Sequence, residues 1–161
     1  MTITTTTHLN FRGTARQALD FYQSVFGGEV TAATYGQFGM PEGVPGFDKI
    51  VFGQLDGVVR LMAYDIPGED DSNPAATAGS THRENGATLT DRTFFQSLRA
   101  DSLDELQRYW NGLVEGATVI ESLAASAWSA GFGMLTDRFG VTWVLDVCLL
   151  YTSDAADERS S

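Results

Sequence analysis

The sequence predicts an α+β protein built from two copies of a βαβββ unit, and three observations carry that prediction. Two stretches, Thr14–Gly28 and Ser102–Gly116, have apolar residues at helical spacing, are equal in length and end on glycine. Each is preceded by one strand-like run and followed by another. Each half then closes on a hairpin, turning at Asp56-Gly57 in the first and at Phe139-Gly140 in the second. A unit of this kind is a half-open mixed sheet with one helix behind it. Two such sheets set side by side, related by a pseudo-twofold axis, are expected to enclose a cavity, which is where a small ligand belongs.

In order along the chain, Thr5 to Phe11 has strand character. Ala15, Ala18, Leu19, Tyr22, Val25 and Phe26 mark one apolar helix face over Thr14–Phe26, and Gly27-Gly28 stops it. Glu29 to Tyr35 reads as a strand and Gly36 to Asp48 as a Gly- and Pro-rich loop. Lys49–Leu55 and Val58–Tyr64 form the first hairpin around a strong turn pair. In the second half, Thr93 to Leu98 is a strand. Ser102-Leu103-Asp104-Glu105 is a capping box opening a helix to Glu115, with Leu103, Leu106, Trp110, Leu113 and Val114 on its apolar face. Ala117 to Glu121 is the next strand. Phe132–Thr136 and Val141–Val147, the most apolar stretch of the chain, form the final hairpin around Asp137-Arg138-Phe139-Gly140.

Between the halves the chain is polar and rich in Gly, Pro, Ser and Asp. The expected organisation is one domain over residues 1–147: a module at 5–65, a linker or flap at 66–90, and a module at 91–147. Cys148 to Glu158, CLLYTSDAADE, resembles a translated sequencing adaptor, so residues 148–161 are read as a non-native tail; an ordinary acidic tail is the alternative.

The chain has 161 residues, 43% of them hydrophobic, enough for a real core. Its net charge of −11, from 21 acidic and 10 basic residues, excludes a nucleic-acid partner and an anionic membrane surface, both of which require clustered Lys and Arg. No apolar run has the length of a membrane span and the N-terminus has no signal-peptide pattern, so a cytoplasmic location is expected. A single cysteine, Cys148, excludes an internal disulfide framework.

Several side chains invite a functional reading. Trp128 and Trp143 are large and carry one N–H donor each, which suits a cavity wall. Phe94, Phe95 and Phe132 read as core. Arg60, inside the apolar run VVRLMAY, either anchors an anionic ligand group or lies at a sheet edge in solvent or in an ion pair; Gln54 and Asp146 carry the same ambiguity between a ligand contact and a solvated position. The charges of the Asp137-Arg138 turn are expected in solvent. His8 is expected as a hydrogen-bonding residue at a strand start. There is no Ser/His/Asp arrangement, phosphate-cradling loop or dinucleotide fingerprint.

The paired units, with LNFRG and FYQSVFGGEV early and FGMLTDRFGVTWVLDV late, resemble the vicinal oxygen chelate superfamily of glyoxalases, extradiol dioxygenases and bleomycin-resistance proteins, and within it the PhnB-like (3-demethylubiquinone methyltransferase-like) branch. The resemblance covers Thr6 to Val147. It implies a glyoxalase-like fold, a bound small organic molecule and a homodimer. It also implies positions for metal ligands, and these hold Phe52 and Val144, which cannot ligate. Gln96 in the fifth strand is a poor donor, and His82 lies in the linker. His8 alone is left as a candidate ligand, so no metal or other cofactor is expected. The expected function is therefore binding of an unidentified small molecule in a cavity lined by Phe52, Gln54, Arg60, Trp128 and Trp143. The alternatives are a metal-dependent lyase or dioxygenase, or a drug-sequestering resistance protein; the sequence leaves open whether the protein is an enzyme. No glycine-rich cofactor loop supports the methyltransferase label.

Overall fold

The computed structural model describes residues 2–68, 81–127 and 129–147. The chain divides into two units, Met1–Pro74 and Ala75–Ser161. In the first, strand β1 (Thr7–Phe11) is followed by helix α1 (Ala15–Phe26), β2 (Glu29–Thr34), a short 3-10 turn (Gly36–Phe38), β3 (Ile50–Asp56) and β4 (Leu61–Asp65). In the second, a small hairpin of β5 (His82–Glu84) and β6 (Ala87–Leu89) precedes β7 (Gln96–Ala100), α2 (Leu103–Leu113), β8 (Thr118–Ala124), β9 (Phe132–Thr136) and β10 (Thr142–Val147).

The two four-stranded sheets have the same topology, β1-β4-β3-β2 and β7-β10-β9-β8. In both, the first strand pairs in parallel with the last, and the other neighbours are antiparallel. The expected βαβββ duplication is therefore present.

Burial separates the two faces of each sheet. In the first, Leu9, Phe11, Leu55, Leu61 and Ala63 are buried against α1, whose Ala15, Ala18, Leu19, Tyr22 and Phe26 face them. Gly53, in the middle of β3, lies beneath that helix: a Cβ there would come within 2.5 Å of Leu19 Cδ1 and 2.9 Å of the Ala63 carbonyl oxygen. The second sheet repeats this. Trp143, Leu145 and Val147 are buried on the side of α2, with Leu106, Trp110 and Leu113 opposite. Gly133 in β9 is the counterpart of Gly53: a Cβ there would meet Trp110 Cζ3 at 2.9 Å. The glycines exist because a large helix side chain occupies the space above them.

Two buried aspartates hold the loops. Asp65, at the end of β4, accepts from the backbone N–H of Gly13 and Ala15 through Oδ1 and of Ile50 through Oδ2, each at 2.9 Å. It thus caps α1 from across the unit. Thr14, the residue at the local cap position, has no hydrogen-bond partner for its buried Oγ1 among the described residues. Helix α2 is capped locally instead, with Ser102 Oγ accepting from the Glu105 N–H at 3.3 Å. In the second unit, Asp137 Oδ1 accepts from the N–H of Phe139 and Val141, and Oδ2 from Trp143 Nε1 at 2.9 Å.

Four readings are corrected. Asp137 is buried, not solvated, because the closing turn wraps its N–H groups onto the carboxylate; Arg138 is exposed, and its Nε donates to the Glu115 carbonyl. Residues 66–90 are not simply a linker, since they contain the β5–β6 hairpin. Its turn is Asn85-Gly86, with φ of 53° and 79°, the geometry that Asn-Gly pairs favour in tight hairpins. Phe94 is not core but 57% exposed. Phe132 is half-buried on the face turned away from α2, not core beneath the helix. Residues 148–161 lie outside the described residues, as does Trp128.

Candidate functional site

Strand alternation places one set of side chains on the face of the first sheet turned away from α1. The register aligns His8 with Met62, Met62 with Gln54, and Gln54 with Thr31, forming one row across all four strands. A second row is Asn10, Tyr64, Phe52 and Ala33: Asn10 pairs with Tyr64 and Phe52 with Ala33, and the Gly53–Ala63 pairing sets Phe52 opposite Tyr64. Phe52, Gln54, Met62 and Tyr64 are half-buried; His8 and Asn10 are exposed. Neither row carries an Asp, Glu, Lys or Arg.

Polar contacts order one edge of this face. His8 Nδ1 lies 3.0 Å from Asn10 Oδ1, a hydrogen bond in which the ring N–H donates. The His8 ring meets the edge of Tyr64 with centroids 5.5 Å apart. Close by, the Tyr35 hydroxyl donates to the Asp65 carbonyl at 2.7 Å. Burial, with Tyr64 and Asp65 nearby, pushes the Tyr35 phenol above its ordinary value.

The expected cavity residues separate. Phe52 and Gln54 lie next to one another in β3 on adjacent rows of this face. Arg60 is not inside a strand; it lies in the turn before β4, with its Nε 3.2 Å from Asp56 Oδ1 and the side chains 47% and 57% exposed. Of the two readings of Arg60, the ion pair is the one observed. Trp143 lies on the helix side of its sheet, 1% exposed, with its N–H satisfied by Asp137, and so is a core residue. Asp146 pairs with Arg99, whose Nε lies 3.2 Å from its Oδ1. Met62, Tyr64 and Asn10 share this face with Phe52 and Gln54. The expected two-residue turn at Asp56-Gly57 would have set Gln54 opposite Val59; the observed loop instead pairs Leu55 with Leu61, which sets Met62 opposite Gln54 and brings Met62 and Tyr64 onto the face of Phe52 and Gln54.

On the second sheet the equivalent face carries Phe132, Met134, Val144, Glu121 and Asp146. The β5–β6 hairpin lies against it. Among the described residues, no group of three His, Cys, Asp or Glu side chains is placed to hold a metal ion. No helix among them is long and apolar enough to cross a membrane.

The family model for the Glyoxalase/Bleomycin resistance protein/Dioxygenase superfamily matches residues 7–145. The chain belongs to this superfamily. Protein PA1353 of Pseudomonas aeruginosa is similar in structure, with a TM-score of 0.67 and 31% identity over 91% of this chain and 98% of that one. Protein YjdN of Escherichia coli K12 is 25% identical over 150 residues, 87% of this chain and 92% of YjdN. The PhnB protein of Bacillus cereus shares the fold at a TM-score of 0.63 and 20% identity, covering 91% of this chain and all of that one, 100%.

Proposed function

We propose that this superfamily member binds a flat, uncharged organic molecule on the face of its first sheet turned away from α1, and that binding is not built on a metal. The observation that supports the reading is the composition of the two rows on that face. Phe52 and Tyr64 offer aromatic surface and Met62 a polarisable thioether. Gln54, Asn10 and His8 offer a few polar groups to fix orientation, as ligand sites commonly do. A charged ligand group would be desolvated there without a counter-charge from either row, and Arg60, in the turn before β4, is already paired with Asp56.

The test is ligand-detected NMR with neutral planar probes, 2-naphthol and quinoline, against the full chain. Phe52→Ala is expected to weaken binding at least tenfold, and Gln54→Ala by a smaller factor. Equal binding by wild type and Phe52→Ala would refute the site. Metal analysis of protein purified without chelator is the second arm. Stoichiometric Zn, Ni, Mn or Fe that is lost in His8→Ala would replace this reading with a metal-dependent lyase or dioxygenase. We also infer a homodimer, because each sheet has edge strands that a second copy can cover. Light scattering that shows a monomer at micromolar concentration would refute it.

A further inference from the structure

Aligning the units on Gly53 and Gly133 makes Phe132 the counterpart of Phe52, Met134 of Gln54 and Val144 of Met62. The second unit, however, already has something on this face. The guanidinium of Arg83, from β5, lies 4.7 Å from the centre of the Phe132 ring. Its Nε is 3.5 Å from Glu121 Oε1, and one terminal nitrogen donates to Thr88 Oγ1 at 2.8 Å. Thr88 Oγ1 in turn donates to Met134 Sδ at 3.7 Å. Met134 is 1% exposed even though it lies on the side away from α2.

We propose that the β5–β6 hairpin is a built-in occupant of this face, and that lifting it uncovers a second binding site, specific for a flat aromatic molecule bearing a planar cation such as an amidinium. The argument has two parts. Among the described residues the hairpin is a two-stranded ribbon of three residues per strand with no third strand paired to it, and such a ribbon is marginal without support. Among the described residues, the polar support it draws from this face is modest: a cation–π contact, a partly exposed ion pair and the Thr88 link. Opening it costs far less than unfolding the unit. The chemistry of the vacated place is defined by what fills it now, a planar cation stacked on Phe132 beside the Glu121 carboxylate. The first unit has Thr31 where the second has Glu121, since each pairs with the residue following its matched glycine, Gln54 or Met134. The two faces therefore select different ligands, one neutral and one cationic. The proposal extends the reading of the first face to its repeat, but it has its own probe.

That probe is benzamidine, titrated by NMR and calorimetry into the full chain. Arg83→Ala is expected to bind it at least tenfold more tightly than wild type, and adding Glu121→Gln to that variant is expected to reverse most of the gain. Phe52→Ala should leave benzamidine binding unchanged, whereas it weakens 2-naphthol binding. Hydrogen exchange supplies the second readout: Arg83→Ala should speed exchange across residues 82–89 while the amides of β8, β9 and β10 stay protected. No gain in benzamidine binding, a gain insensitive to Glu121→Gln, or loss of protection throughout the second unit would each overturn the proposal. No 2-naphthol binding by the wild-type chain, or binding that Phe52→Ala leaves unchanged, would instead refute the site proposed on the first sheet while leaving the benzamidine result to decide this one.

Discussion

Asp65→Asn preserves size and shape but removes one acceptor oxygen from a site where three backbone N–H groups converge. In its better orientation the amide oxygen keeps the Gly13 and Ala15 bonds at the start of α1, and the NH2 group then faces the Ile50 N–H, donor against donor. The loss is one hydrogen bond to a charged acceptor, about 1.5–3 kcal/mol. The negative charge at the helix start goes with it, about 0.3–1 kcal/mol more. The sum, roughly 2–4 kcal/mol, is large against a total stability of roughly 5–15 kcal/mol. With a urea dependence of about 2 kcal/mol per M, the midpoint should fall by roughly 1–2 M. The choice of signal matters, because Trp110, Trp128 and Trp143 all belong to the unit Ala75–Ser161, so tryptophan emission does not report the first unit. Far-UV circular dichroism should follow the loss, and hydrogen exchange should show it first at the amides of Gly13, Ala15 and Ile50. A change below about 0.5 kcal/mol, the level of an ordinary surface substitution, with those amides still protected, would refute the claim that the carboxylate holds them.

Four further outcomes are expected. Thr14→Ala removes a buried hydroxyl that has no partner among the described residues, so urea stability should not fall, whereas Ser102→Ala, which removes a working cap, should cost about 1 kcal/mol. Gly53→Ala should cost about 1–3 kcal/mol in the same assay, because the new methyl meets both Leu19 and the Ala63 carbonyl, and a neutral result would show that α1 shifts freely. The Tyr35 phenol is held above its ordinary value of 10.0, so the unfolded chain ionises first and stability should fall as pH rises through the tyrosine range; Tyr35→Phe should flatten that fall in urea titrations above pH 10. Truncation after Val147 should change the melting free energy by no more than about 1 kcal/mol, and a larger loss would show that residues 148–161 belong to the core.

The elements legible in the sequence are those whose signal is local. The α1 face from Ala15 to Phe26 depends on spacing within a few residues and appears as expected; the first hairpin is present too, but its second strand starts at Leu61 rather than Val58, because the turn is a longer loop than the Asp56-Gly57 pair suggests. The side of a sheet that a residue faces is less local. Trp143 and Val144 differ by one position, yet the first lies under α2 and the second on the opposite face, and only register decides which. Asp137 illustrates a different limit: its turn is readable, but the indole of Trp143 closing on its carboxylate is a contact made only in the folded unit. The Asn85-Gly86 signal was present in the sequence. It was obscured because the strands beside it are short and polar, and their support comes from Glu121, Phe132 and Met134, far along the chain.

In each sheet the last strand made is the one inserted between the first and the third. Thr7 must wait for Leu61, and Gln96 for Trp143. On the ribosome, β2 and β3 can pair as they emerge, but β1 stays a stranded ribbon edge until β4 arrives to join it. The first unit can therefore close once Asp65 is clear of the exit tunnel, while β7 remains unpaired until β10 has been synthesised. Premature termination between Thr136 and Thr142 would leave β7 cut off from β8 and β9, with the apolar face of α2 lacking the strand that joins them, which is the kind of exposed edge that aggregation exploits.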